Sequence, residues 1–91
     1  MAPVQRTFLI KNQLGLHARA AAQLVKVAEL FRSEVTITRD GQRVNGKSIM
    51  GLMMLAAGQG ATVEVEASGD DAEEMLDAIE ALIEARFNEP Q

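Results

Sequence analysis

The chain has 91 residues, 47% of them hydrophobic, so we expect one domain over residues 1–91, since two packed cores would not fit. Without cysteine it can form neither a disulfide nor a thiolate metal site, and its three aromatic residues are too few for a nucleic-acid surface that stacks bases. Its net charge of −4 hides an asymmetry, because residues 1–50 carry eight Lys or Arg against three Asp or Glu, while residues 51–91 carry one against ten.

This charge asymmetry has two interpretations, and the sequence leaves both open. The basic half would steer an acidic partner or a phosphorylated substrate toward His17 and Arg19. Alternatively, the last helix simply exposes an acidic face to solvent. No apolar run reaches membrane-spanning length and residues 1–6 lack the apolar core of a signal peptide, so we expect a cytoplasmic protein without membrane insertion.

Residue periodicity predicts seven elements in the order β-α-β-β-α-β-α. The predicted strands cover residues 4–10, 34–39, 42–45 and 61–67, and the first two predicted helices cover residues 18–30 and 47–55. Asp40-Gly41 indicates a two-residue hairpin between the second and third strands. The short connections favour an α+β fold in which helices pack on one face of an antiparallel sheet.

The strand pattern also predicts which sheet face is buried. Val35, Ile37, Val63 and Val65 would point inward, whereas the glutamates that alternate with the last two valines would point to solvent. We therefore expect an open sheet face.

The last helix has start and stop signals of its own. Asp70-Asp71-Ala72-Glu73 resembles a capping box, and Pro90 would stop the helix. Its apolar stripe would consist of Met75, Ile79, Leu82, Ile83 and Phe87.

The stretch around the only histidine is the first candidate for chemistry. Gly15 allows a turn, so His17 would lie where a loop becomes the first turn of a helix. That position favours a neutral, nucleophilic imidazole able to accept a phosphoryl group, with Arg19 close enough to bind the added negative charge. From the residues alone, a capping or surface histidine and an exposed solubilising arginine remain alternatives.

A second candidate lies at the next short helix. Ser48 is a natural N-cap, and a serine in that position is also a candidate for phosphorylation. The helix is too short to bury every side chain, so some residues should face solvent or a partner, although we expect at least half to fill the core. The residues concerned are Ile49, Met50, Leu52, Met53, Met54 and Leu55.

Two motifs together resemble the HPr family, the histidine-containing phosphocarriers of the bacterial phosphotransferase system. The first is Gly15-Leu16-His17-Ala18-Arg19, and the second is Lys47-Ser48-Ile49-Met50-Gly51-Leu52 about thirty positions later. The likeness covers nearly the whole chain, including the element order and the Ala67-Ser68-Gly69-Asp70 lead into the last helix.

The resemblance implies an HPr-like open-faced β-sandwich, with a four-stranded antiparallel sheet and three helices on one face. It implies a carrier rather than an enzyme, acting as a monomer without cofactor or metal. His17 would be phosphorylated on Nδ1 by phospho-Enzyme I with help from Arg19, and would pass the group to EIIA-type acceptors. Ser48 would match the serine modified by HPr kinase/phosphorylase. The partner contacts would be Ala20, Lys47, Ile49, Met50 and Met53.

One position departs from the family pattern, and two other functions stay open. The family usually has proline after the arginine, where this chain has Ala20, so we expect a more mobile loop around His17 and slower or retuned transfer. One alternative is a regulatory HPr-like binding protein that acts through Ser48 phosphorylation. The other is an unrelated ferredoxin-like ligand-binding domain with the same initial element order.

Overall fold

The computed structural model describes residues 2–89, and its elements confirm the predicted order. The strands are β1 (Val4–Leu9), β2 (Glu34–Arg39), β3 (Gln42–Asn45) and β4 (Thr62–Ser68). The helices are α1 (Ala18–Ala28), α2 (Ile49–Met54) and α3 (Ala72–Glu84), and a short left-handed turn, Arg86–Asn88, follows α3. No helix within residues 2–89 is long and apolar enough to cross a bilayer.

The four strands form one antiparallel sheet in the order β1-β4-β2-β3. Val63 of β4 lies opposite Phe8 of β1, and Val65 lies opposite Ile37 of β2. These side chains are buried, whereas Glu64 between them is exposed. Because side chains alternate along a strand, one face of the sheet is open, as predicted, and the other meets the helices.

The spacing of Ala21, Leu24, Val25, Ala28 and Phe31 predicts one apolar face for the first helix, and the structure confirms it up to Ala28, where α1 ends. α1 contributes Ala21, Leu24, Val25 and Ala28 to the core that the inward strand residues line. α3 contributes Met75, Ile79 and Ile83, while Phe31 and Leu82 pack at the edge, only partly buried. Of the stripe predicted for α3, Phe87 is buried but lies beyond the end of the helix. The α+β arrangement with three helices on one sheet face is confirmed.

The start of α3 does not form the predicted capping box. Asp71 occupies the N-cap position, but its side chain makes no hydrogen bond to the helix. Its carboxylate instead accepts hydrogen bonds from the Arg32 amide at 2.9 Å, the Ser33 amide at 2.9 Å and the Ser33 hydroxyl. The pKa of Asp71 is held below its ordinary value, first by the Ser33 hydroxyl and then by the Arg32 amide. The capping-box prediction was wrong because the Asp71 carboxylate binds the turn before β2 and so connects that turn to the start of α3.

The chain leaves α3 through an unusual turn. The helix ends at Glu84, and then Arg86, Phe87 and Asn88 have φ values of 55°, 53° and 55°. Three successive residues with side chains in this left-handed region are strained, each at a cost of roughly 1–2 kcal/mol. Phe87 is buried to 2% exposure, and this burial anchors the turn against the core. The prediction that the helix continues to a stop at Pro90 was wrong, because α3 already ends at Glu84; Pro90 itself lies outside the described residues.

Candidate functional site

Gly15 fixes the loop that leads into α1. Its φ is +66°, and a Cβ at this position would collide with the carbonyl oxygen of Ala57 and lie 2.7 Å from the Cα of Gly58. The next residue, Leu16, donates its amide to that Ala57 carbonyl at 2.9 Å. Only glycine fits this close approach, so the predicted turn is confirmed and the loop is held against the segment after α2.

His17 is the N-cap of α1, at the loop-to-helix boundary that the sequence predicts. Its backbone is extended, with φ −75° and ψ 178°, and its carbonyl accepts the first helical hydrogen bond from Ala21 at 2.8 Å. Nδ1 accepts the Arg19 amide at 3.3 Å, and the side chain is 29% exposed. The imidazole therefore lies at a helix end whose amides lack intrahelical acceptors, and it remains accessible from solvent.

Glu89 is the functional-site residue that the sequence did not indicate. Its Oε2 lies 3.4 Å from Nε2 of His17, and its side chain is only 9% exposed. The Asn12 side-chain amide donates to the same carboxylate oxygen at 3.0 Å, and the Leu14 backbone amide lies 3.3 and 3.4 Å from the two oxygens. These donors, Asn12 first, hold the pKa of Glu89 below its ordinary value, so the group is a carboxylate at neutral pH.

The histidine faces a cleft of about 260 Å³, which we call the histidine cleft. Its lining residues are Gln13, Leu14, His17, Arg19, Gln23, Phe87 and Glu89. Arg19 is exposed at the wall and forms no ion pair with any residue in 2–89. Arg19 is thus available to bind an anion that enters the cleft. The carboxylate of Glu89, which also lines the cleft, lies on the Nε2 side of the imidazole ring.

Ser48 is the N-cap of α2, as predicted. Its backbone is extended, with φ −116° and ψ 115°, and its Oγ accepts the Gly51 amide at 3.0 Å. The side chain is half-buried, so its hydroxyl already has a structural role in satisfying an amide at the helix end.

Most of the apolar side chains on and after α2 face solvent, contrary to the prediction that at least half fill the core. Leu52 and Leu55 are buried, and one short helix has room for only one inward face. The exposed group, which we call the α2 surface, consists of Ile49 (41% exposed), Met50 (76%), Met53 (44%) and Met54 (64%).

Lys47 and Ala20, which were also expected to contact partners, are less exposed than the α2 surface. Lys47 is half-buried, and its Nζ donates to the carbonyl of Phe31 at 3.1 Å. Ala20 is fully buried in α1, so its side chain offers no surface to another protein. Packing against the core, rather than partner contact, is the role this structure gives to Ala20.

Comparison with known proteins agrees with this architecture. Residues 4–85 match the family described as "PTS HPr component phosphorylation site". The chain is 54% identical to the phosphocarrier protein HPr of Cupriavidus necator over 94% of this chain and 97% of that one, and 43% identical to the phosphocarrier protein NPr of Shewanella violacea over 98% of both. A crystal structure of HPr from Thermoanaerobacter tengcongensis superimposes with a TM-score of 0.90 and 46% identity over all of both chains. The ferredoxin-like alternative is therefore wrong.

Proposed function

Because the chain belongs to the HPr family of phosphocarrier proteins, components of the bacterial phosphotransferase system, we propose that it carries a phosphoryl group on Nδ1 of His17. Proteins of this family are carriers rather than catalysts. The group comes from phospho-Enzyme I and passes to EIIA-type acceptor proteins. In each transfer a phosphorus–nitrogen bond forms on the accepting histidine as the corresponding bond on the donor breaks.

The observation that carries this proposal is the orientation of the imidazole at the end of α1. Nδ1 lies on the side of the Arg19 amide, and Nε2 lies on the side of the Glu89 carboxylate. A phosphoryl group repels a carboxylate and is attracted to the amides at a helix N-terminus. Nδ1 is therefore the nitrogen whose surroundings suit the added group.

Arg19 supports the same assignment. Arg19 lines the cleft that the ring faces, and no carboxylate within residues 2–89 forms an ion pair with it. A planar guanidinium can bind two phosphoryl oxygens at once and stabilise the charge that moves during transfer. Positioning and charge stabilisation are the main requirements of phosphoryl transfer, and the cleft supplies both.

Labelling with phosphoenolpyruvate and purified Enzyme I tests the proposal. We expect one acid-labile phosphoryl group per chain, assigned to Nδ1 by ³¹P and ¹⁵N NMR. His17→Ala should accept none, whereas Ser48→Ala should be labelled like the natural protein. Failure of a cognate, active Enzyme I to label His17 would refute the carrier function.

We extend the proposal to partner docking by the α2 surface. Its methionines are exposed and adaptable, and an apolar patch of this kind suits a transient protein contact. Met50→Asp should slow transfer from Enzyme I and to an EIIA-type acceptor, whereas Leu30→Asp, at another exposed apolar residue, should not. We also propose that the protein acts as a cytoplasmic monomer. Light scattering of the purified chain tests its oligomeric state, and cell fractionation tests its location.

A regulatory role of Ser48 is the second candidate function. Ser48 directly precedes Ile49 and Met50, the first two residues of the α2 surface. A phosphate added to Ser48 by HPr kinase/phosphorylase would therefore place a dianion next to the docking residues. If regulation is the main role, cells with Ser48→Ala differ from wild type and cells with His17→Ala do not. If phosphotransfer is the main role, the His17→Ala cells are defective.

A further inference from the structure

The tail after α3 is built to bring one carboxylate to the histidine. Three successive residues, Arg86 to Asn88, adopt positive φ, and the amides of Asn88 and Glu89 close the turn on the carbonyls of Ala85 and Arg86, each at 3.0 Å. Such strain persists only where surrounding contacts impose it, and it is concentrated at functional sites. The residue delivered by this turn is Glu89, whose carboxylate lies against the imidazole.

Donors in the loop before His17 hold the carboxylate in place. Asn12 is fully buried, and its Nδ2 donates to both the Glu89 carboxylate at 3.0 Å and the Gly15 carbonyl at 2.8 Å. The Leu14 amide adds a longer contact at 3.3 Å. The loop that carries His17 therefore also sets the position of the acid that faces it.

The two ring nitrogens consequently have opposite neighbours. An amide donor lies 3.3 Å from Nδ1, and a carboxylate acceptor lies 3.4 Å from Nε2. A donor favours a lone pair on the nitrogen that it faces, and a carboxylate favours a hydrogen. Both contacts select the same neutral tautomer, with hydrogen on Nε2.

We infer that Glu89 is a positioning residue for phosphoryl transfer, which keeps hydrogen on Nε2 of His17 and the nucleophilic lone pair on Nδ1. This inference rests on the proposed function for its consequence. When Nδ1 attacks phosphorus, the donor's bond to phosphorus breaks, the Nε2 hydrogen stays on the ring and the ring gains positive charge. Glu89 lies where it stabilises that charge, as a carboxylate does behind the histidine of a catalytic triad.

The test compares Glu89→Ala with the matched control Glu84→Ala, which removes a carboxylate that pairs with Lys11 instead of the ring. The ¹⁵N shifts of the neutral imidazole report the tautomer without any partner protein. In Glu89→Ala we expect the ratio of the Nε2–H form to the Nδ1–H form to fall by about threefold to tenfold, because the Nε2 hydrogen loses a long contact to a charged acceptor. In Glu84→Ala we expect the same ratio to stay unchanged.

Phosphorylation by phospho-Enzyme I is the second measurement. The initial rate for Glu89→Ala should fall by about threefold to tenfold, since the ring loses both its tautomer preference and its fixed orientation. An unchanged tautomer ratio, or a changed ratio with an unchanged rate, overturns the inference. If the natural protein itself accepts no phosphate, the proposed function fails, and the tautomer comparison still decides whether Glu89 positions the ring.

Discussion

The side-chain amide of Asn12 donates a 3.0 Å hydrogen bond to the carboxylate of Glu89, although 77 positions separate the two residues. The same amide group also binds the Gly15 carbonyl, so one buried side chain joins the loop before His17 to the tail after α3. Its Oδ1 has no hydrogen-bond partner within the described part of the chain. Such an arrangement makes Asn12 a structural support of the histidine cleft.

Asn12→Ala should destabilise the protein by about 1–3 kcal/mol. The change removes two hydrogen bonds, one of them to a charged group, and its cost is partly offset because an unpaired buried oxygen is removed as well. Urea unfolding measures the difference. Gln13→Ala, at the exposed neighbouring position, is the control and should stay within about 0.5 kcal/mol of the natural protein. Equal stabilities of the two variants would contradict this role.

Arg19→Ala should slow phosphorylation of His17 without loss of stability. The guanidinium is exposed and unpaired within residues 2–89, so no folded-state contact is lost. If it binds the moving phosphoryl group, its removal costs on the order of 10²-fold in rate, as for other single donors to a developing charge. Arg19→Lys should recover only part of the rate, because an ammonium cannot bind two oxygens in a fork.

The control for Arg19 lies on the same helix. Lys26→Ala removes an exposed positive charge from the last turn of α1, far along the helix from the imidazole. A loss of rate in this variant equal to that of Arg19→Ala would mean that overall charge, and not the guanidinium in the cleft, governs transfer.

Ser48→Ala should destabilise the protein by about 1 kcal/mol, because the Gly51 amide loses its capping acceptor. Ser48→Asp should retain most of the stability, since a carboxylate is an equally good cap. Thermal or urea unfolding provides the measurement. Ser68→Ala, an exposed serine at the end of β4, should have little effect, and an equal loss there would contradict the capping role.

The elements of the fold were predictable from the sequence because they depend on local periodicity. Alternating valines in β4 and the helical spacing of Leu24, Val25 and Ala28 each indicate one buried face, and the structure buries those residues. The exact end of α3 was not predictable, because nothing in Arg86-Phe87-Asn88 signals a left-handed turn of residues with side chains.

The positions of site residues were predictable only where a local sequence pattern determines them. His17, Arg19 and Ser48 take their positions from helix starts, which capping residues and glycine reveal. Glu89 reaches the imidazole through the tail turn and Asn12, so no local pattern could place it there. The same limitation explains Asp71, whose acidic cluster fits a capping box until the fold brings Ser33 beside it.

Asp71→Asn should lower stability in a pH-dependent manner. In the folded protein, the Ser33 hydroxyl and the Arg32 amide hold the Asp71 pKa below its ordinary 3.8. The unfolded chain therefore binds a proton at Asp71 more readily than the folded protein does. The Asp71 carboxylate consequently stabilises the folded state above about pH 4, and this stabilisation is lost as the pH falls through the folded pKa.

Urea unfolding between about pH 2 and 7 checks this sign. The stability difference between the natural protein and Asp71→Asn should be largest near neutral pH and should shrink in acid. Asp70→Asn, at the exposed neighbouring carboxylate, should stay within about 0.5 kcal/mol of the natural protein at neutral pH. A difference for Asp71→Asn that grows as the pH falls would contradict the assigned contacts.

Ala20→Pro tests whether the missing family proline leaves the histidine loop too mobile. Ala20 is the third residue of α1, and the first helical hydrogen bond is made by the next amide, Ala21 to the carbonyl of His17. A proline in this first turn therefore removes no helical bond, and its fixed φ restricts the unfolded chain.

We expect Ala20→Pro to raise the free energy of unfolding by about 0.4–1 kcal/mol and to increase the rate at which phospho-Enzyme I labels His17. Because Ala20 is fully buried, unfolding must be measured beside the rate, so that a poor fit of the ring is not mistaken for a kinetic effect. A stabilised variant with an unchanged labelling rate would show that backbone freedom at this turn does not limit transfer.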